Sequence, residues 1–217
     1  MSRHLRTVLR GLIMSTALLG AAAQASVVTS IPGGTIYPFP PINYFGPGPQ
    51  TVAPGITWSS TNAANQGGSV FGYTSGYGFG SNGDWFGLDM IGLNDSFDAY
   101  GVSDTMTIAF SSPVQAVGGF LNYVPFDSTP TTIAVYNSSD TLIESYNLTF
   151  LTGGGENTGA FYGFLESTPD ISFFTMTDNY IGLTNLTVLT STVPEPATMA
   201  LLGTGLIALG VTRRRRS

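Results

Sequence analysis

The sequence has no cysteine and no lysine, and its one histidine is His4. All seven basic residues are arginines, at Arg3, Arg6, Arg10 and Arg213–Arg216. From Ser26 to Thr192 there is therefore no Lys, Arg, His or Cys. This absence excludes disulfides as a source of stability. It also excludes Ser-His and Cys-His nucleophile pairs, lysine Schiff bases and the usual zinc ligands. Of the thirteen acidic residues only Glu195 lies outside the span, so twelve remain and its formal charge is −12. Such a surface repels phosphate, which argues against nucleic acid and against anionic lipid headgroups as partners. The only catalytic chemistry left is that of carboxylates, as in a glycosidase with two acids flanking a sugar bond. The acids sit beside Gly, Pro, Ser and Asn in apparent loops, where solvated turn residues are the default, so the expected protein is not an enzyme.

The basic residues mark the two ends. Arg3, Arg6 and Arg10 precede the apolar run Gly11–Ala22 and the small-residue site Ala23-Gln24-Ala25. That order is a secretory signal peptide over residues 1–25, cut before Ser26. At the other end, Val193-Pro194-Glu195-Pro196 leads into an uncharged run from Ala197 to Thr212 and then into Arg213, Arg214, Arg215 and Arg216. Sixteen helical residues span roughly 24 Å. The shortfall from a hydrocarbon core of about 30 Å is made up by bilayer thinning and snorkelling arginines. The prolines hold the helix start near Ala197. The four arginines act as a stop-transfer signal on the cytoplasmic side. The expectation is one C-terminal transmembrane helix in the inner membrane.

This tripartite tail, residues 193–217, resembles the PEP-CTERM protein-sorting signal of Gram-negative bacteria. The resemblance implies a membrane-embedded processing enzyme, an exosortase, that cuts near the Pro-Glu-Pro. Tails of this type also carry the name ice-binding protein C-terminal domain, which describes the tail and implies no affinity for ice.

Between the ends, residues 26–55 form a leader rich in Pro and Gly, which reads as extended backbone lying against the domain. Residues 56–192 are rich in Gly, Thr, Ser, Asn and aromatics, a composition for strands and turns. Ile56–Ser60 is a first strand. Thr105–Phe110 alternates with Met106, Ile108 and Phe110 on one face. A turn is expected at Ser111-Ser112-Pro113, then a strand over Val114–Val124 bent at Gly118-Gly119. Further strands are expected at 132–137, 142–150, 160–165, 171–177 and 181–189. Seven or so strands at this spacing predict a single antiparallel β-sandwich. The stretches TIAFSSPVQAVGGFL, IAVYNSSDTLIES, GAFYGFLESTPDISFFTMT and YIGLTNLTV resemble the jelly-roll, galactose-binding-like domain common among PEP-CTERM proteins, which implies the same all-β fold. Relatives often carry an Asp in the last strand, where this chain has Thr184 or Asn185.

Two stretches offer binding chemistry. Gly67–Gly87 alternates glycine with aromatic rings. Tyr73, Tyr77, Trp85 and Phe86 either pack over glycines in the core or form an exposed platform for sugar rings. In Leu88–Asp104, the residues Asp89, Asn94, Asp95, Asp98 and Asp104 supply oxygen atoms of the type Ca²⁺ requires, although without EF-hand spacing. The competing reading is a solvated loop. The pairs Thr105/Thr107 and Thr175/Thr177 fall short of the long Thr arrays of ice-binding faces. The sequence thus predicts an exported, exosortase-processed protein of the cell envelope or extracellular matrix, structural or associated with exopolysaccharide. A carboxylate-dependent glycoside hydrolase or lyase, or a Ca²⁺-stabilised adhesin, are its rivals.

Overall fold

A computed structural model describes residues 25–63, 68–94, 104–126 and 130–191. Both targeting segments lie outside these residues, apart from Ala25 at the signal junction. Among the described residues no helix is long and apolar enough to cross a membrane.

The chain is built almost wholly from strands. In order these are β1 (Ser26–Val28), β2 (Thr35–Tyr37), β3 (Tyr44–Phe45), β4 (Gln50–Ala53), β5 (Ile56–Ser60) and β6 (Ser69–Tyr73). Next come β7 (Tyr77–Gly78), a 3-10 turn at Gly80–Asn82, β8 (Asp84–Trp85) and β9 (Met90–Leu93). The second half supplies β10 (Asp104–Val114), β11 (Ala116–Tyr123), β12 (Thr132–Tyr136), β13 (Leu142–Asn147), β14 (Ala160–Leu165), β15 (Ile171–Asp178) and β16 (Ile181–Leu189). They form an eight-stranded sheet, β1-β14-β11-β16-β9-β6-β3 with β2 also on β16, a six-stranded sheet, β13-β12-β15-β10-β5-β4, and a two-stranded sheet of β7 and β8.

Alternation decides which faces meet. Met106, Ile108 and Phe110 point inward as expected and join Trp58, Ile133, Val135, Phe174 and Met176 from the six-stranded sheet. Phe71, Ile91, Leu93, Leu121, Phe164, Ile181 and Leu183 face them from the other sheet. Trp58 meets Phe71 at 5.4 Å and Phe164 meets Phe174 at 6.3 Å across the interface. This is the expected all-β sandwich, its layers joined by large rings.

Two expectations are corrected. Ser111-Ser112-Pro113 does not turn the chain; β10 runs through it with a bulge between Ala109 and Val114. The prolyl residue, which has no N–H to donate, sits where the ladder is already interrupted. The leader is not a separate unit either. β1 pairs with β14, β2 with β16, β3 with β6 and β4 with β5, so the boundary drawn after residue 55 falls inside a hairpin. Phe39 is buried against Phe71 at 5.8 Å. Gly72 permits this approach: its φ is +59° and a Cβ there would lie 1.7 Å from the Pro40 carbonyl.

The register also fixes where the ends leave. Ser26 pairs with Leu165, Leu165 with Ala116, and Ala116 with Leu189. Three strand spacings of about 4.8 Å put the start of β1 and the end of β16 roughly 14 Å apart, at one end of the sandwich.

Candidate functional site

Residues 74–89 leave the eight-stranded sheet and fold back over its outer face as an aromatic cap. The floor beneath is glycine. Gly92 and Gly182 pair across β9 and β16. A Cβ on Gly182 would come within 2.8 Å of Phe79, 2.9 Å of Met90 and 2.9 Å of Trp85. A Cβ on Gly92 would meet Met90 at 2.8 Å and the Tyr77 phenol at 3.0 Å. The missing side chains let three rings descend onto the sheet. Phe79 and Trp85 pack edge to face at 4.9 Å, Trp85 stacks on Phe120 at 6.3 Å, and Tyr77 lies 5.1 Å from Tyr180.

A polar weld fixes the cap to the loop at residues 151–158. Asn82 is fully buried at its centre. Its Nδ2 donates to the Tyr123 carbonyl at 3.1 Å and its Oδ1 accepts from Thr152 N–H at 3.1 Å. Its carbonyl accepts from Asn122 Nδ2 at 3.0 Å, Thr152 Oγ1 at 2.8 Å and Thr158 Oγ1 at 3.0 Å. The Trp85 indole donates to the Thr158 carbonyl at 2.5 Å. The backbones join as well: Asp84 N–H donates to Gly155 at 3.0 Å, Asn157 N–H donates to Asp84 at 2.7 Å, and Asp84 and Glu156 form a parallel bridge. Gly155 passes so close that a Cβ on Gly83 would lie 2.1 Å from its carbonyl oxygen.

On the solvent side of this weld is a cleft of about 390 Å³ lined by Gly76, Tyr77, Gly78, Asp84, Trp85, Phe86 and Glu156. Phe86 is 61% exposed. Its N–H donates to Asn157 Oδ1 at 2.9 Å, which anchors the backbone under an otherwise free ring. Asp84 and Glu156 are exposed carboxylates on either side of the bridge. The cleft thus offers one apolar ring face and two acceptor groups on a rigid base, a set suited to a ligand rich in hydroxyl donors.

The structure divides the four aromatic residues singled out in the sequence. Tyr77 and Trp85 are buried and give no stacking face; only their edges reach the cleft. Burying a ring removes some 150–250 Å² from water, which outweighs display wherever glycine leaves room. Tyr73 is half-buried against Phe45 at 5.7 Å and Tyr77 at 6.1 Å. Phe86 alone has an open ring. The Tyr77 phenol donates to the Leu93 carbonyl. Burial raises its pKa well above the ordinary value, with Tyr180, Tyr73 and Asp178 adding to the effect, so it stays neutral. Asn82, Asp84, Glu156 and Asn157 were missed in the sequence because Ser-Asn-Gly-Asp and Glu-Asn read as ordinary turns. The only hint was that both segments abut glycine breaks, at Gly80–Gly83 and Gly153–Gly155.

Of the five-residue Ca²⁺ set, the described members Asp89 and Asn94 are not brought together. Asp89 precedes β9 and Asn94 follows it, five residues or about 17 Å apart along extended chain, whereas Ca²⁺ ligands lie 2.3–2.6 Å from the ion. Asp104 accepts a hydrogen bond from Thr61 Oγ1 at 2.8 Å. Asp95 and Asp98 lie outside the described residues. No cluster of three acids that could hold a metal occurs among the described residues. Of the signal-cleavage residues, Ala23 lies outside them, Ala25 is buried, and Ser26 opens β1.

The cap sits far from the chain ends. Asn122, beneath the weld, is six residues along β11 from Ala116, or roughly 20 Å. The cleft therefore lies in the far half of the sandwich from Ser26 and Leu189.

No curated protein matches the chain by sequence. Among solved structures, it is similar to a histidine mutant of the lectin binding domain of lectinolysin complexed with Lewis b. That match has 11% identity, covers 48% of this chain and 72% of the other, and has a TM-score of 0.33. It is also similar to a fucose binding module of Streptococcus pneumoniae, at 9% identity over 48% of this chain and 74% of the other, with a TM-score of 0.31. Residues 192–216 match the PEP-CTERM protein-sorting motif. This span contains Val193–Pro196 and the arginines Arg213–Arg216, and it marks the chain for exosortase processing at the membrane and for sorting to the cell surface. A β-sandwich that ends in a PEP-CTERM protein-sorting motif is what sequence and structure together identify.

Proposed function

We propose that this is an exported protein of a Gram-negative bacterium whose sandwich associates, without catalysis, with polysaccharide of the cell envelope or matrix, and that the cap cleft is its sugar site. The sorting motif delivers the chain to the surface, where such polymers lie. The observation that carries the reading is Phe86, an exposed ring fixed beside Asp84 and Glu156 on a base with no freedom to collapse. A sugar ring stacks its C–H face on an aromatic side chain, while carboxylates accept from its hydroxyls. Preorganisation matters because little ordering entropy is then lost on binding. Among the described residues, every buried core residue except Ala25 lies between Ile31 and Val188, so the chain 26–192 carries that core. Applied to glycan arrays and to exopolysaccharide of the host, it should bind. Phe86→Ala should weaken binding at least tenfold without changing Tm. Binding by Phe86→Ala equal to that of the parent would remove this site.

The proximity of Asp84 to Glu156 favours one rival, a carboxylate-dependent glycoside hydrolase or lyase. Release of oligosaccharides from matrix polysaccharide, lost in Asp84→Asn, would replace the binding reading with that one.

A further inference from the structure

We propose that the open face of the six-stranded sheet is a second binding surface, for an extended, uncharged polysaccharide, so that one sandwich holds two chains on opposite faces. The sequence showed only isolated Thr-x-Thr pairs. The register brings them together: Thr105 faces Thr177 and Thr107 faces Thr175 on neighbouring strands. Thr132 continues the first row beyond Thr177, and Ser59 continues the second beyond Thr107. The rows are about 4.8 Å apart between strands and roughly 6.8 Å along them.

The hydroxyls of the first row are already ordered. Thr105 and Thr177 share a hydrogen bond of 2.8 Å, and Thr132 donates to Asn147 Oδ1 at 2.9 Å. β-branched threonine has few rotamers to lose, so each hydroxyl is presented at low entropic cost. A third row pairs Tyr136 with Phe173. These rings, with Thr107, Thr175 and Asp140, line a depression of about 300 Å³. All are part-exposed while their strand neighbours Val135 and Phe174 are buried, so they belong to the outer face. No formal charge lies within the three rows; Asp140 stands at their rim. Rings beside hydroxyls on an uncharged sheet fit a neutral sugar chain. The −12 charge of the surrounding domain disfavours an anionic one.

The face stands on its own register, but the cross-linking consequence rests on the cap cleft being a sugar site. The processed protein is run by affinity electrophoresis through hydroxyethyl cellulose as the neutral probe and alginate as the anionic one. Its ability to aggregate host exopolysaccharide is followed by light scattering. Thr107→Val with Thr175→Val keeps shape and removes two hydroxyls; Thr107→Lys with Thr175→Lys blocks the face. Both pairs should cut retardation by the neutral probe about tenfold at unchanged Tm, and alginate should retard none of the proteins. Phe86→Ala should still be retarded but should not aggregate polysaccharide. Retardation of both face variants equal to wild type overturns the second surface. Loss of all retardation in Phe86→Ala alone assigns every contact to the cleft and also overturns it. Retardation in Phe86→Ala with undiminished aggregation refutes the cleft while sparing the face. Thermal hysteresis abolished by the valine pair would reassign the face to ice and overturn the proposal.

Discussion

Replacing Asn82 with Ala tests whether the cap is held by its polar weld or by its rings. The side chain makes two hydrogen bonds, to the Tyr123 carbonyl and from the Thr152 N–H. Asn82 carries its acceptor carbonyl on the backbone, so the bonds from Asn122, Thr152 Oγ1 and Thr158 survive the change. Leaving a buried polar group unpaired costs about 1–3 kcal/mol. The Tyr123 carbonyl is deep and bears the full cost. The Thr152 N–H is only part-buried and recovers some of it by hydration. Together they give a loss of about 3 kcal/mol, or about 6–12 °C in Tm for a domain of this size. Urea unfolding followed by tryptophan fluorescence measures it. The two tryptophans separate the regions: Trp58 lies in the inter-sheet core and Trp85 in the cap. In a Trp58→Phe background the Trp85 signal of Asn82→Ala should move to lower urea than far-ultraviolet circular dichroism, since the cap opens first. Sugar binding should fall at least tenfold, although Asn82 does not line the cleft, because Asp84 and Glu156 come from the two segments it joins. A stability change below about 0.5 kcal/mol, within the range of ordinary surface substitutions, would refute the reasoning and show that the Asn82 side chain does not fasten the cap.

Gly182→Ala should cost about 1–3 kcal/mol by lifting Phe79 and Trp85 off the sheet. A red shift of Trp85 emission would report it, and parental stability and emission would show that the floor can yield. Glu166 is 3% exposed and its Oε1 has no hydrogen-bond partner among the described residues. Burial raises its pKa above the ordinary 4.5, with Asp170 contributing next. Its stabilising effect is therefore complete below the unfolded value and is lost as pH rises through the folded one. Glu166→Gln should raise Tm more at pH 7 than at pH 4, and an equal effect at both would count against the burial argument. Added Ca²⁺ should leave Tm unchanged, since a ligand specific to the folded state would raise it. A rise reversed by chelator would direct attention to Asp95 and Asp98. The absence of cysteine makes single-Cys labelling clean. In the uncut, membrane-held precursor, a fluorophore at Ser167→Cys should be quenched by headgroup-bound quenchers more than one at Ser81→Cys, and the reverse order would overturn the orientation given to the cap.

The strands of the second half were legible because each alternates strongly and is bounded by turn residues. Ala160–Leu165 and Ile181–Leu189 fall where the pattern places them, as does Ile56–Ser60 in the first half. Asn137–Asp140 closes its hairpin with Asp140 at φ +56°. The bend at Gly118-Gly119 appears as a register shift against β16. The first half was less legible for a physical reason. β1 to β4 are two to four residues long, too short for a period to show, and their partners β14, β16 and β6 are distant in sequence except for β5. Prolines suggested a loose leader, yet edge strands tolerate them. The cap was half legible. Alternation of Gly with aromatics signalled rings over glycines, but not that the glycines beneath would be Gly92 and Gly182, one of them about a hundred residues away.

The same long-range pairing connects sorting to binding. A chain whose arginines all lie at residues 3–10 and 213–216 has its attraction for anionic lipid confined to those two stretches. The register brings the start of β1 and the end of β16 to one end, since Ser26, Leu165, Ala116 and Leu189 lie side by side. The acidic sandwich gains nothing from approaching anionic headgroups, so a chain held at its C-terminal end should carry the cap outward. A cut near Pro194–Pro196 would remove the apolar run and the last four arginines together, leaving no Lys or Arg after Arg10. Release thus needs no change in the sandwich. The cleft at Phe86 and the threonine face lie wholly within residues 57–177, so a cut near Pro194–Pro196 should leave polymer binding unchanged, which comparison of the uncut and processed protein on the same polysaccharide checks.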